Sequence, residues 1–145
     1  MWKYGLASTG SGSRILVVDD QPVIRALLSD ILTGEGYKVE TADCGEVAVR
    51  RFQEHPFKVV VLDVKMPGMS GFEVLRRLKQ ADPSVLVVMI TGFPTQEKAG
   101  EAMKQGAQAV FHKPLNFPSF LPFLHSLDSQ VQRNQDSEPL RAATL

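Results

Sequence analysis

Two hydrophobic rhythms take turns along this chain. Ile15–Val18 is a short β-branched run, after which Pro22 to Leu32 sets Val23, Leu27, Leu28, Ile31 and Leu32 near helical spacing and stops at Gly34 and Gly36. Lys38–Ala42 alternates weakly, as a strand with one more exposed face does. Asp43-Cys44-Gly45-Glu46 has the form of a capping box for a helix through Phe52, which ends before Pro56. Val59–Leu62, with Val64, reads as a strand buried on both faces. Ser70-Gly71-Phe72-Glu73 is a second capping box and starts a helix through Lys79. Val85–Ile90 is an unbroken apolar run. Thr95 caps a helix to Gln105, in whose middle Gly100 costs about 1 kcal/mol relative to alanine. Ala109–Phe111 is a last short strand, and Phe117 to about Leu127 a last apolar helix.

Five strand–helix units in a row predict an α/β fold, a doubly wound five-stranded parallel sheet with helices on both faces. Right-handed crossovers favour the flavodoxin-like strand order 2-1-3-4-5. Residues 1–12 (MWKYGLASTGSG) are rich in glycine and serine and read as a flexible lead-in. Residues 13–128 form the domain, and residues 129–145 turn polar and read as a tail too short for a separate output domain.

Composition narrows the function classes. The chain has 145 residues, 43% hydrophobic and 22% charged, as an ordinary globular domain has. Sixteen basic and sixteen acidic residues cancel, so no global charge favours nucleic acid. No apolar run approaches the roughly 18 residues of a membrane helix. One cysteine, Cys44, excludes an internal disulfide and fits a reducing cytoplasm, the expected location.

The ends of the strands gather the chemistry. Strand one ends in Asp19-Asp20, strand three in Asp63, strand four in Thr91-Gly92 and strand five at Lys113-Pro114. In the expected sheet these lie along one edge, where ligands of such folds bind. Three carboxylates against one ammonium crowd negative charge, and two like charges about 4 Å apart repel by about 4 kcal/mol at an effective dielectric near 20. A hard divalent cation relieves that repulsion, and carboxylates with a backbone carbonyl are Mg²⁺ ligands. Asp63 is then a candidate phosphoryl acceptor, with Thr91 and Lys113 as donors to the phosphoryl oxygens.

Each residue also has a plainer reading. Asp19 and Asp20 could cap a helix before Pro22, and Asp63 could be an ordinary turn residue before Pro67-Gly68. Lys113 could be a solvated lysine. Their joint placement at strand ends favours a site. His55, His112 and His125 lack metal-ligand spacing, Met66 and Met69 read as turn and packing residues, and Cys44 reads as structural.

The motifs ILVVDD, VVVLDVKMPGMSG, VVMITG and GAQAVFHKP, in this order, resemble the receiver domains of two-component response regulators. The resemblance implies that Asp63 takes phosphate from a histidine kinase or histidine phosphotransfer protein. It implies that Asp20 ligates Mg²⁺ directly, Asp19 through water and Lys65 through its backbone carbonyl. Thr91 becomes the switch hydroxyl and Lys113 the phosphate-contacting lysine, with a cis Lys113–Pro114 bond. It implies a signalling module without enzymatic output of its own, a downstream protein partner, no direct contact with nucleic acid or membrane, and a homodimer face from the fourth helix to the fifth. It also places Lys65 and Phe93 beside the path of a hydrolytic water, with Phe93 expected to slow phosphate loss.

Two positions depart from the family pattern. Val110 stands where an aromatic switch residue is usual, and strand alternation turns Phe111 to the other face. Pro118 and Pro122 predict a last helix that starts late or bends. Three other functions share parts of the pattern. A haloacid-dehalogenase-type hydrolase needs an aspartate where Lys65 stands, a flavin binder would be yellow, and a pseudo-receiver would signal without phosphate.

Overall fold

The computed structural model describes residues 12–144, with side chains to residue 131; of the expected lead-in, residues 1–11 lie outside it. Five parallel strands, β1 (Arg14–Val18), β2 (Lys38–Ala42), β3 (Val59–Asp63), β4 (Leu86–Thr91) and β5 (Ala109–His112), form one sheet in the order β2-β1-β3-β4-β5. The helices between and after them are α1 (Pro22–Gly34), α2 (Gly45–Glu54), α3 (Gly71–Ala81), α4 (Gln96–Lys104) and α5 (Phe117–Thr144). Both the α/β class and the strand order match the sequence reading.

Strand alternation sorts the core into two layers. Leu16, Val18, Val60, Leu62, Val87 and Met89 face α2, α3 and α4 through Phe52, Leu75, Leu78 and Ala102. Ile15, Val17, Val61, Val88 and Ile90 face α1 and α5 through Leu28, Leu32, Phe120 and Leu124. β3 and β4 are covered on both sides and every residue in them is buried, which is why they read as continuous apolar runs. β2, at the edge, is buried only at Ala42.

Local signals set most helix ends. Ser70 Oγ accepts the Glu73 N–H at 3.3 Å and Thr95 Oγ1 the Lys98 N–H at 3.1 Å, so both expected caps form. α1 begins with Pro22 in its first turn and ends before Gly36, whose φ of 100° is a left-handed conformation that favours glycine. The capping box expected at Asp43–Glu46 does not form. Cys44, not Asp43, is the cap residue of α2, and its side chain makes no cap bond because the aspartate oxygen falls one position too early.

The last helix begins at Phe117, where the apolar pattern placed it, but differs from expectation at its other end. It neither starts late nor stops near Leu127. Asn116 caps it, Oδ1 accepting the Ser119 N–H at 3.3 Å, so Pro118 falls at the second helical position, where no amide is needed. Pro122 has no N–H to donate to the Pro118 carbonyl, and both prolines are exposed, so solvent can serve that carbonyl instead. The helix crosses the expected tail boundary at 128 and runs to Thr144, with Val131 still buried against the sheet.

Candidate functional site

β1 and β3 are adjacent, Val18 pairing with Leu62, so Asp19 and Asp63 leave neighbouring strands at the same level. Oxygens of Asp19, Asp20 and Asp63 come within 4.8 Å of one another. Asp19 and Asp63 are buried, and Asp20 is half-buried beside them. The plainer reading of Asp19 and Asp20 as helix caps does not hold: Gln21 is the cap residue of α1, and Asp19 Oδ1 instead accepts the Gln21 N–H at 2.9 Å, which fixes the carboxylate's orientation.

Lys113 reaches the cluster from the end of β5. The Lys113 N–H donates to the Thr91 carbonyl at 2.8 Å, and the bond to Pro114 is cis, as the resemblance implied. Its Nζ lies 2.8 Å from Asp19 Oδ2 and 3.3 Å from Asp63 Oδ2. It is therefore shared between two carboxylates, with Asp19 the nearer, rather than held over Asp63 alone. Burial pulls the Lys113 pKa down, but the hydrogen bond to Asp19 and the charges of Asp63 and Asp19 outweigh it and the net shift is upward. Asp63 moves up to about 6, first because burial penalises its charge and second because Asp19 repels it; Lys113 and the Lys65 backbone N–H pull the other way without prevailing.

These carboxylates and Lys113 sit in or beside a cleft of about 440 Å³, to which Gln21, Lys65 and Phe93 also contribute. Its acidic end fits a hard cation: the donors are all oxygen, three negative charges face one ammonium, and two of the carboxylates are buried. Asp19, Asp20 and Asp63 would hold Mg²⁺ by their carboxylates.

Thr91 is buried at the end of β4, and its Oγ1 accepts the Phe93 N–H at 3.1 Å. Val110 and Phe111 lie on opposite faces of β5, as alternation requires. Val110 packs with the α2–α4 layer, and Phe111 makes edge contacts with Phe120 and Phe123 of α5, at centroid distances of 5.1 and 5.4 Å.

Two residues, Gln21 and Gly71, and one contact between residues already placed at the site escaped the sequence reading. Gln21 Oε1 accepts a hydrogen bond from Lys113 Nζ at 3.3 Å; its place directly after Asp19-Asp20 was the available signal. Lys65 Nζ lies 5.6 Å from the centre of the Phe93 ring, a cation–π contact across the cleft mouth. Gly71 packs so closely against the end of β3 that a Cβ there would lie 2.2 Å from the Asp63 carbonyl oxygen.

Comparison with known proteins agrees with this geometry. The family model described as response regulator receiver domain matches residues 15–123. The transcriptional regulatory protein ZraR of Escherichia coli K12 is 35% identical over 124 residues, covering 81% of this chain and 28% of that protein. The chain thus spans little more than a quarter of that regulator's length. The chemotaxis protein CheY of Thermotoga maritima is 34% identical over 104 residues, 71% of this chain and 87% of that one. The structure of the response regulator protein TrrA of Thermotoga maritima in complex with Mg²⁺-BeF aligns with a TM-score of 0.73 at 33% identity, covering 79% of this chain and 98% of that one.

Proposed function

The chain belongs to the response regulator receiver domain family, and on that premise we propose that it carries its signal as a phosphoryl group on Asp63, taken from a histidine kinase or phosphotransfer protein in the presence of Mg²⁺. The observation that carries this reading is the convergence of Asp19, Asp20, Asp63 and Lys113 at the ends of β1, β3 and β5. In the transfer an Asp63 carboxylate oxygen attacks phosphorus, the new P–O bond forms as the donor's P–N bond breaks, and the departing imidazole keeps the electron pair. Bound Mg²⁺ would supply neutralising charge to the phosphoryl oxygens.

The chain's own residues do the remainder. Asp19 is anchored by the Gln21 amide and so presents its carboxylate without a search. Lys113 exchanges part of its contact with Asp19 and Asp63 for a phosphoryl oxygen, a charge-assisted bond. Thr91 already accepts the Phe93 N–H and keeps its hydroxyl proton to donate to the phosphoryl group. With Val110 in place of a switch ring, the response passes through Thr91 and α4 rather than through an aromatic rotamer. The module then acts by binding a downstream protein and performs no further chemistry. In the cell it works in the cytoplasm, a reducing compartment that suits a chain with the single cysteine Cys44.

The test is incubation with acetyl phosphate and Mg²⁺, read by intact mass and peptide mapping. One phosphoryl group should appear on Asp63, be absent in Asp63→Ala and depend on Mg²⁺ only while Asp20 is intact. Phosphate on another residue of the Asp63→Ala protein refutes the assignment, and no adduct in wild type favours the pseudo-receiver.

A further inference from the structure

The carboxyl end of the sheet has a second pocket besides the acidic cleft, at its β2 edge. β2 is an edge strand, and beyond its last residue, Ala42, lies a pocket of about 310 Å³ between α1 and α2. Three guanidiniums line it, Arg25 of α1 with Arg50 and Arg51 of α2, against the single carboxylate of Asp43. This excess is local, because the chain as a whole carries no net charge.

The arginines are incompletely partnered within the fold. Arg25 Nη1 donates to the Asp19 backbone carbonyl at 2.8 Å, which steadies the guanidinium and leaves its other N–H groups for a ligand. Arg51 Nη1 is 3.9 Å from Glu40 Oε1, too far for a hydrogen bond, and Arg14 already holds the other oxygen of Glu40 at 2.8 Å. Arg51 Nε is buried with no hydrogen-bond partner. A buried donor left unmatched in this way calls for an acceptor. Arg50 is exposed, and among the described residues none of the three forms an ion pair with Asp43.

We propose that this pocket binds a small phosphate-bearing molecule, a phosphomonoester or phosphodiester. Guanidinium groups present paired N–H donors that match phosphate oxygens two at a time. The volume lies at the small end of ligand sites, which run from roughly 300 to 1,000 Å³. That suits a compact ligand better than an extended acidic peptide, which needs a groove. The pocket lies outside the carboxyl end of the edge strand β2, away from the β1–β3 crevice. The site is separate from Asp63 and does not depend on its phosphorylation.

The test is an NMR titration of the isotope-labelled full chain in EDTA, following the arginine Nε–H signals, with pyrophosphate and AMP added in separate series. EDTA leaves the acidic cleft without a cation, so it repels these ligands. Saturable shifts at Arg25 and Arg51, weakened about tenfold or more in Arg50→Ala, are expected. Saturation by AMP, with or without pyrophosphate, supports the proposal; saturation by pyrophosphate alone overturns the assignment to a phosphate ester. Arg50 is exposed, so its loss should leave the fold intact, which the wild-type pattern of the remaining amide signals verifies. Shifts that fail to saturate, that NaCl of equal ionic strength reproduces, or that persist in Arg50→Ala overturn the proposal. Tighter binding of hexaglutamate than of either phosphate overturns the assigned ligand class.

Discussion

With burial around it and Asp19 beside it, the Asp63 carboxyl titrates at about 6 in the metal-free protein instead of near 3.8. The folded state therefore keeps this proton over a range where the unfolded chain has lost it. The resulting stability is fully present below about pH 4 and is lost as pH rises through about 6. Asp63→Asn should remove that loss and stabilise the metal-free protein at neutral pH by about 1–2 kcal/mol, once solvent screening is allowed for. Urea unfolding in EDTA across this pH range checks it. Mg²⁺ should raise the stability of wild type at neutral pH and do little for Asp63→Asn. Gly71 belongs to the same scale. A methyl group there meets the Asp63 carbonyl at 2.2 Å, and the backbone of the acceptor must yield. Gly71→Ala should cost about 1–3 kcal/mol in urea unfolding and slow phosphorylation of Asp63 by acetyl phosphate. Phe93, 69% exposed and stacked against Lys65, offers no group to orient a water. Phospho-Asp63 should decay faster in Phe93→Glu than in wild type, measured by loss of the phosphoryl mass after donor removal; equal rates would show that the ring does not guard the site.

α4 is the least firmly held helix among those with a described core contact. Ala102 is its only fully buried residue, and Gly100 sits exposed in its middle with open space where a Cβ would go. Gly100→Ala should stabilise the protein by about 1 kcal/mol, read as a higher urea midpoint with an unchanged slope. α3, by contrast, buries Val74, Leu75 and Leu78, and Ser70 caps it. An element with few buried contacts is the one that can take up a second position at low cost. α5 is held midway along its length by different means: His125 Nε2 lies 3.2 Å from Glu35 Oε1 and its ring lies against that of Tyr37, while Asp128 accepts the Ser13 hydroxyl at 2.6 Å.

Across the molecule, the two covered faces of the sheet divide the labour. The α1–α5 face carries aromatic packing through Phe111, Phe120 and Phe123, and the other face carries α4 and Val110. Thr91 links the acidic edge to α4 through the bend at Gly92 and Phe93. Addition of beryllofluoride and Mg²⁺ should change amide hydrogen exchange in residues 91–105 more than in β1 or β3, which are buried from end to end but for Arg14. Unchanged exchange in that segment would mean that the signal leaves by another route.

The fold class and strand order were legible in the chain because buried parallel strands need continuous apolar runs and amphipathic helices need a 3.6-residue period, and both are local patterns. The site residues were legible as strand-end polar groups, since Asp19, Asp20, Asp63, Thr91 and Lys113 each follow such a run. Local pattern misled where the outcome hung on one residue of register: the oxygen of Asp43 missed the cap of α2, and Asn116 set the start of α5 so that Pro118 was tolerated. Only the tertiary structure could decide how Lys113 divides itself between Asp19 and Asp63, that Gln21 also holds it, that Lys65 lies over Phe93, and that Gly71 touches the acceptor's carbonyl. Periodicity states which face a residue takes. Distances between residues on different strands and loops follow from packing, which no single segment of sequence contains.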